Sequence, residues 1–367
     1  MMKILIVFGT RPEAIKMCPL ILELNKNPDI KCSVCLTGQH KEMLDQVIDT
    51  FEVNVDYNLS LMKERQKLED ITSEIIVGVS KVIGIEKPNL LLVHGDTTTS
   101  FSAAIAAFYH KIPIGHVEAG LRTYNMNSPY PEEFNRQAID LITDVYFAPT
   151  QTAKMQLINE GKVADKIFVT GNTVIDALKI TVRNSYTTPD LEWARDSKLI
   201  LVTAHRRENI GEPMKQMFRA IRKLVEDNDD VKVIYPIHKN PEVRKIAYEV
   251  LGNMQRIRIV EPLDVVDFHN YMYKCYIVMT DSGGIQEEAP SLGKPVIVMR
   301  DTTERPEGVK AGTLKLVGTT FENIYKETSE LLNDERKYKE MSRCSNPYGD
   351  GFACKRIVEI IRRKMMS

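Results

Sequence analysis

The sequence predicts an α/β protein built on two doubly wound parallel sheets. Short apolar runs alternate with helical patterns along the whole chain, as in sheets covered by helices on both faces. The 367 residues exceed the roughly 250–300 at which single hydrophobic cores stop growing, so two domains are expected. Polar and ionisable residues recur just after the apolar runs, where open parallel sheets bind their ligands.

In the first half, strands are expected at 3–8 (KILIVF), 31–36 (KCSVCL), more weakly near 55–59, then at 90–95 (LLLVHG), 113–118 (PIGHVE), 145–149 (VYFAP) and 166–171 (KIFVTG). The second half repeats the scheme at 198–205 (KLILVTAH), 231–238 (VKVIYPIH), 256–262 (RIRIVEP), 275–282 (CYIVMTDS) and 294–299 (KPVIVM). The joint is expected near Gly171-Asn172, with the polar stretch Asn184 to Ser197 just inside the second half.

The composition, 43% hydrophobic and 27% charged, is that of an ordinary globular protein. Lys+Arg 49 against Asp+Glu 50 leaves a net charge of -1, so no global field recruits nucleic acid or a membrane surface, and any anion must be bound locally. The opening MMKILIVFGTRPEAIK meets charge too soon for a signal peptide, and no later segment reads as a membrane span, so a cytoplasmic location is expected. The cysteines Cys18, Cys32, Cys35, Cys275, Cys344 and Cys354 form no framework. Cys32 and Cys35 fall three apart on an expected strand and so point to opposite faces, which argues against a metal or redox pair.

The expected strand ends nominate a site. They carry Gly9-Thr10-Arg11, Gly38-Gln39-His40, His94-Gly95-Asp96, Glu118, His205-Arg206-Arg207-Glu208, His238 and Asp281-Ser282-Gly283-Gly284. If the two edges face one another, the active site is an interdomain cleft. In TDSGGIQEEAPSLGKP, Ser282, Gly283 and Gly284 open a short helix where backbone N–H groups could take a phosphate. A carboxylate one turn on, Glu287 or Glu288, could accept from sugar hydroxyls. The plain alternative is a tight turn with two solvated glutamates. Asp96, Glu118 and Glu132 suit proton transfer. Against this, Asp96 could cap the helix opened by Thr97-Thr98-Thr99, Glu132 could simply pair with Arg136, and Glu118 could be a solvated loop residue. His205 and His238, at equivalent strand ends with arginines and lysines nearby, suit a charged group, and Arg11 and Lys16 could reach the same phosphates. No metal-ligand spacing is visible, and FGTRPEA lacks the G-x-G-x-x-G cradle of a nicotinamide cofactor.

Ten strings in order, FGTRPEAIK, TGQHKEMLDQ, VHGDTTTSF, HVEAGLRT, SPYPEEFNRQ, TGNTVIDAL, TAHRREN, TDSGGIQEEAPSLGKP, RDTTERPEG and NPYGDG, resemble the non-hydrolysing UDP-N-acetylglucosamine 2-epimerases from Lys3 to about Arg356. The resemblance implies two Rossmann-like doubly wound parallel-sheet domains, glycosyltransferase-B-like, comprising 1–172 with a returning C-terminal helix at 354–367, and 173–353. It implies reversible interconversion of UDP-GlcNAc and UDP-ManNAc by elimination to 2-acetamidoglucal and UDP, with no cofactor or metal. A homodimer acting on a small-molecule nucleotide sugar for polysaccharide synthesis is implied as well.

Carried over by motif, Asp96, Glu118 and Glu132 would be the acid/base carboxylates, assisted by His205 and Arg136. Arg11, Lys16, Ser282, Gly283 and Gly284 would serve the sugar diphosphate, Glu288 the ribose, Leu263 and Phe268 the uracil, and Arg305 would add charge. Gln39, Arg65, Glu132, Arg206 and His238 match positions of an allosteric UDP-GlcNAc site in many bacterial members. The rival readings are a hydrolysing epimerase releasing ManNAc, a glycosyltransferase of the same fold, and a nucleotide-sugar sensor. The trio of carboxylates has no evident purpose in the last two.

Overall fold

The computed structural model describes residues 1–38, 41–61 and 66–365. Its contacts divide the chain into two compact units, Met1–Ile180 with Tyr348–Ser367, and Thr181–Pro347.

The first unit contains β1 (Met2–Phe8), β2 (Ile30–Leu36), β3 (Tyr57–Asn58), β4 (Leu90–His94), β5 (Ile114–Val117), β6 (Val145–Ala148) and β7 (Ile167–Val169). They form one sheet in the order β3-β2-β1-β4-β5-β6-β7, parallel at every pairing. Its central strands read as unbroken apolar runs because both faces are covered: Leu5, Ile6, Val7 and Phe8 on β1 and Leu90 to Val93 on β4 are all 0% exposed.

The second unit contains β8 (Lys198–Thr203), β9 (Val231–Pro236), β10 (Ile257–Val260), β11 (Ile277–Thr280), β12 (Val296–Val298) and β13 (Leu314–Leu316). Their order is β10-β9-β8-β11-β12-β13, again parallel throughout. Its core joins Ile200, Val202, Phe218, Tyr235, Ile277 and Met279. Strand β13 was not anticipated. It has three residues and pairs only with β12, too short a run for any period to show.

The units part after Ile180 and rejoin at Tyr348, whereas the sequence suggested 172/173 and 353/354. The helix Thr173–Thr181 stays with the first unit for a local reason. The Asn172 N–H donates to the Tyr348 carbonyl at 2.7 Å. The Asp176 carboxylate accepts from the N–H groups of Ala353 (3.1 Å) and Cys354 (2.9 Å), capping the returning helix Ala353–Met365.

In each sheet the chain starts at a central strand, adds two strands on one side and then switches to the other. The switch points lie between β1 and β4 and between β8 and β11, and the rule for open α/β sheets places ligands beyond the carboxyl ends of those strands.

Candidate functional site

In the first unit, β1 leads into the helix Arg11–Asn25 through Thr10, whose hydroxyl and the Glu13 side chain form a capping box, with Pro12 in the first turn. Glu13 is buried and takes four donors, the N–H groups of Gly9 (3.1 Å) and Thr10 (2.8 Å) and the hydroxyls of Thr10 (2.7 Å) and Thr97 (2.7 Å), with Ser100 Oγ a further polar contact at 2.9 Å. Burial raises its pKa, an effect these hydrogen bonds only partly offset. Glu13 thereby ties the end of β1 to the start of the helix Thr98–Tyr109. Arg11 and Lys16 both lie on the helix that this brace orients.

Lys16 reaches Glu118, which follows β5, in an ion pair whose side chains are 14% and 9% exposed. The same carboxylate oxygen accepts from Asn172 Nδ2 at 2.7 Å. Glu118 sits at φ +67° and Gly95, after the adjacent β4, at φ +63°. Left-handed backbone at both strand ends is costly for Glu118 and free for Gly95, and this pairing of a strained residue with a fixed carboxylate is characteristic of functional sites. A methyl group on Gly95 would lie 3.6 Å from Glu118 Oε1.

Asp96 does not cap the helix after it. Thr97 does, accepting from Ser100 N–H at 3.0 Å. Asp96 instead ion-pairs with Arg136, and its carbonyl accepts from Asn135 Nδ2 at 2.9 Å. Arg136 also meets buried Glu133 at 3.3 Å, not Glu132. Glu132, first residue of the helix Glu132–Ile142, is half-buried and has no ion-pair partner among the described residues. Behind this edge, His116 on β5 bonds Asp140 through Nδ1 and the Gly95 carbonyl through Nε2, both at 2.7 Å. Arg122 bonds the other Asp140 oxygen, also at 2.7 Å. Burial would raise the Asp140 pKa, but His116 and Arg122 together hold it below the usual range.

In the second unit, Asp281 after β11 organises the end of β8. Fully buried, it accepts from the N–H groups of His205 and Arg206 (2.9 Å each) and from Asn209 Nδ2 (3.2 Å). Its other oxygen meets His205 Nδ1 at 3.1 Å. The carboxylate can only accept, so Nδ1 carries a proton and Nε2 is left on the ring's exposed edge. The His238 ring lies 5.4 Å from that of His205, and burial followed by His205 lowers its pKa. Its Nδ1 accepts from Asn240 N–H at 3.1 Å.

Ser282 N–H donates to Thr280 Oγ1 at 2.9 Å, while the N–H groups of Gly283 and Gly284 make no backbone hydrogen bond among the described residues. They precede the helix Ile285–Ser291. The Arg206 guanidinium lies 3.7 Å from where a side chain on Gly283 would begin, and Glu288 Oε1 lies 3.4 Å from the corresponding point on Gly284. The two glutamates differ sharply. Glu287 is buried against Arg305, whereas Glu288 faces His269 Nε2 at 3.5 Å, with His269 Nδ1 held by Thr181 Oγ1 at 2.7 Å. Arg305 is thus a partner of Glu287. Leu263 and Phe268, both half-buried, flank Asp264, which caps the helix Val265–Lys274 by accepting from Asp267 N–H.

Each expected site residue among the described ones therefore stands beyond the carboxyl end of a strand or on the helix that follows. Gln39 and Arg65 lie outside the described residues. The sequence reading did not assign roles to Glu13, His94, His116, Asn172 and Asp281. All five lie in the ten strings that carry the family resemblance, but only the fold shows what they touch. Cys32 and Cys35 carry no sign of reactivity, burial pushing both thiols up to about 12.

A sequence model described as UDP-N-acetylglucosamine 2-epimerase matches residues 22–362. The UDP-N-acetylglucosamine 2-epimerase of Bacillus subtilis (strain 168) is 58% identical over 358 residues, covering 98% of this chain and 94% of that protein. Among solved structures, the S. aureus MnaA-UDP co-structure is 53% identical with a TM-score of 0.92, covering 100% of this chain and 97% of that one. The Neisseria meningitidis UDP-GlcNAc 2-epimerase bound to UDP-GlcNAc is 48% identical with a TM-score of 0.91, covering 99% and 100%. Two Rossmann-like parallel-sheet domains of the glycosyltransferase-B-like type are the shared fold. With the strand-end carboxylates, the Asp281-oriented histidine and the double-glycine turn all in place, this chain belongs to the UDP-N-acetylglucosamine 2-epimerase family.

Proposed function

We infer that the chain interconverts UDP-GlcNAc and UDP-ManNAc by inverting C2, retaining the nucleotide rather than releasing free sugar. The C2 proton is not acidic, so direct removal is unfavourable. Elimination avoids this: as C2–H is taken, its electron pair forms the C1=C2 bond and the C1–O pair leaves on UDP. Re-addition returns a proton to the opposite face of C2 and UDP to C1. No redox step is needed.

The observation that carries this reading is the adjacent pair of carboxylates at the ends of β4 and β5, Asp96 against Arg136 and Glu118 against Lys16 and Asn172. Inversion needs proton-transfer groups on both faces of the ring, and Asp96, Glu118 and Glu132 supply them. Ser282, Gly283, Gly284, Arg11 and His205 stabilise the departing diphosphate through preorganised donors, and Lys16 serves the sugar-phosphate region. Glu288 takes the ribose hydroxyls, Leu263 and Phe268 the uracil, and Arg305 acts as charge behind Glu287.

Incubation with UDP-GlcNAc in D₂O followed by proton NMR tests the reaction. UDP-ManNAc bearing deuterium at C2 is expected; accumulation of free ManNAc, or product with protium at C2, would overturn it.

Three further features belong to the same reading. UDP-GlcNAc acts as an activator through Glu132, Arg206 and His238, so the reverse reaction begins with a lag that added UDP-GlcNAc removes; an immediate full rate refutes activation. The enzyme works as a homodimer, supported by apolar side chains exposed on helices of the first unit, among them Ile85 (67%), Tyr109 (69%) and Leu141 (74%). Light scattering at the mass of one chain would refute that. It acts in the cytoplasm for polysaccharide assembly, in keeping with six free cysteines and with no described helix long and apolar enough to cross a membrane.

A further inference from the structure

We propose that His94 is a positioning residue for Glu118, its bare Nε2 giving the Glu118 carboxyl a hydrogen-bond acceptor whenever that carboxyl carries the C2 proton of the sugar. The proposal rests on the epimerase reading and deepens it. It identifies what holds a proton on a carboxylate that a neighbouring ammonium group favours in its ionised form.

His94 ends β4 with its ring buried, the side chain 5% exposed. Nε2 stands 3.7 Å from Glu118 Oε2 and has no hydrogen-bond partner among the described residues. An orphaned buried nitrogen is costly and calls for an explanation. We place the ring hydrogen on Nδ1, since on Nε2 it would have no acceptor within hydrogen-bond distance. The His94 carbonyl accepts from Ser100 Oγ at 2.6 Å. A neutral imidazole with its hydrogen on Nδ1 presents a lone pair at Nε2.

Burial brings the His94 imidazole down to about 3, so the ring is neutral at physiological pH. Lys16, from the helix Arg11–Asn25, and His116, on β5, act in the same direction as burial, and Glu118 opposes them. Asp140, from the helix Glu132–Ile142, stands behind His116 at 2.7 Å.

A carboxylate and a bare nitrogen are both acceptors and cannot bond, which explains the open 3.7 Å gap. Once Glu118 holds a proton, its O–H can donate to Nε2, and a movement of about 0.5–1 Å brings the pair into hydrogen-bond range. Lys16 and Asn172 favour the ionised carboxylate, whereas His94 favours the protonated one. The two influences bring the states closer in free energy, as a group that both takes and returns a proton requires. In the elimination direction the C2–H electron pair becomes the C1=C2 bond, the C1–O pair departs on UDP, and the proton rests on Glu118 against His94. Re-addition runs the same transfer in reverse, and no other reactant enters.

The test begins with the wild-type enzyme in D₂O. Absence of deuterium at C2 would refute the epimerase reading itself, whatever His94 does. With exchange established, His94→Phe is expected to lower kcat about tenfold or more with the KM for UDP-GlcNAc within about twofold. The acid limb of its kcat–pH profile should move to lower pH, because Glu118 has lost the acceptor that favours its protonated form. His94→Gln, whose amide oxygen can accept, should recover part of kcat and part of the limb shift. A His94→Phe enzyme with kcat within about twofold of wild type, or with an unmoved acid limb, overturns the proposal. Nitrogen-15 NMR of histidine-labelled wild-type protein at pH 7 gives a reading that does not depend on the variants folding. A neutral ring protonated on Nδ1 supports the assignment, and one protonated on Nε2 overturns it.

Discussion

Glu118 and Glu288 have the same side chain and different surroundings, and those surroundings separate their roles. Glu118 is fixed by Lys16 and Asn172 on left-handed backbone, a geometry suited to one oxygen in one place. Replacing it with Gln keeps the shape and removes the base we propose. The Glu118→Gln enzyme should lose about 10²–10⁴-fold in the rate of C2 deuterium incorporation while binding UDP as wild type does. Retained exchange would transfer the proton role to Asp96 or Glu132. Glu288 stands beside the double-glycine turn, near His269. Glu288→Gln should weaken UDP binding, measured by calorimetry, without lowering the melting temperature; an unchanged affinity would remove it from the ribose site. Glu287 illustrates what adjacency in sequence conceals, since one position along the helix the carboxylate turns inward to Arg305.

At the scale of elements, the connection from β8 into HRREN is held by one buried carboxylate from β11's end. Asp281 satisfies two backbone N–H groups and Asn209 and orients His205. Asp281→Asn puts an amide among these donors and leaves some of them unpaired in a buried site, a change that costs about 1–3 kcal/mol. Thermal unfolding should shift down accordingly, and activity should fall further than stability because the His205 ring loses its orientation. A variant with the wild-type melt would show that the loop holds itself. Much of this layer is legible in the sequence. The alternation of runs marks most strands. The three-residue β13 escapes because its pairing with β12 supplies what its own pattern does not.

For the whole molecule, stability at acid pH depends on carboxylates whose pKa values folding displaces in opposite directions. Glu304 is down at about 2: burial alone would raise it, but the Arg300 pairing outweighs that effect. A depressed carboxylate contributes stability above its unfolded value of 4.5 and loses that contribution as pH falls through the folded value. Glu13, raised by burial, has the opposite sign and is relieved by protonation. The melting temperature should therefore fall as pH drops from about 4.5 to about 2, and Glu304→Gln should flatten that slope. An identical slope in the variant would assign the acid sensitivity elsewhere.

The sequence by itself determined the two-sheet α/β plan, the edges that carry chemistry and the strings that mark the family, because apolar periodicity and strand-end residues are local properties. Only tertiary structure decided that Arg136 belongs to Asp96 and not Glu132, that Glu287 is a structural partner of Arg305, and that His94 confronts Glu118 with an unpaired nitrogen. Those pairings join residues brought together by neighbouring strands and by helices that return to the sheet. Their energies depend on burial and distance, which sequence spacing does not contain.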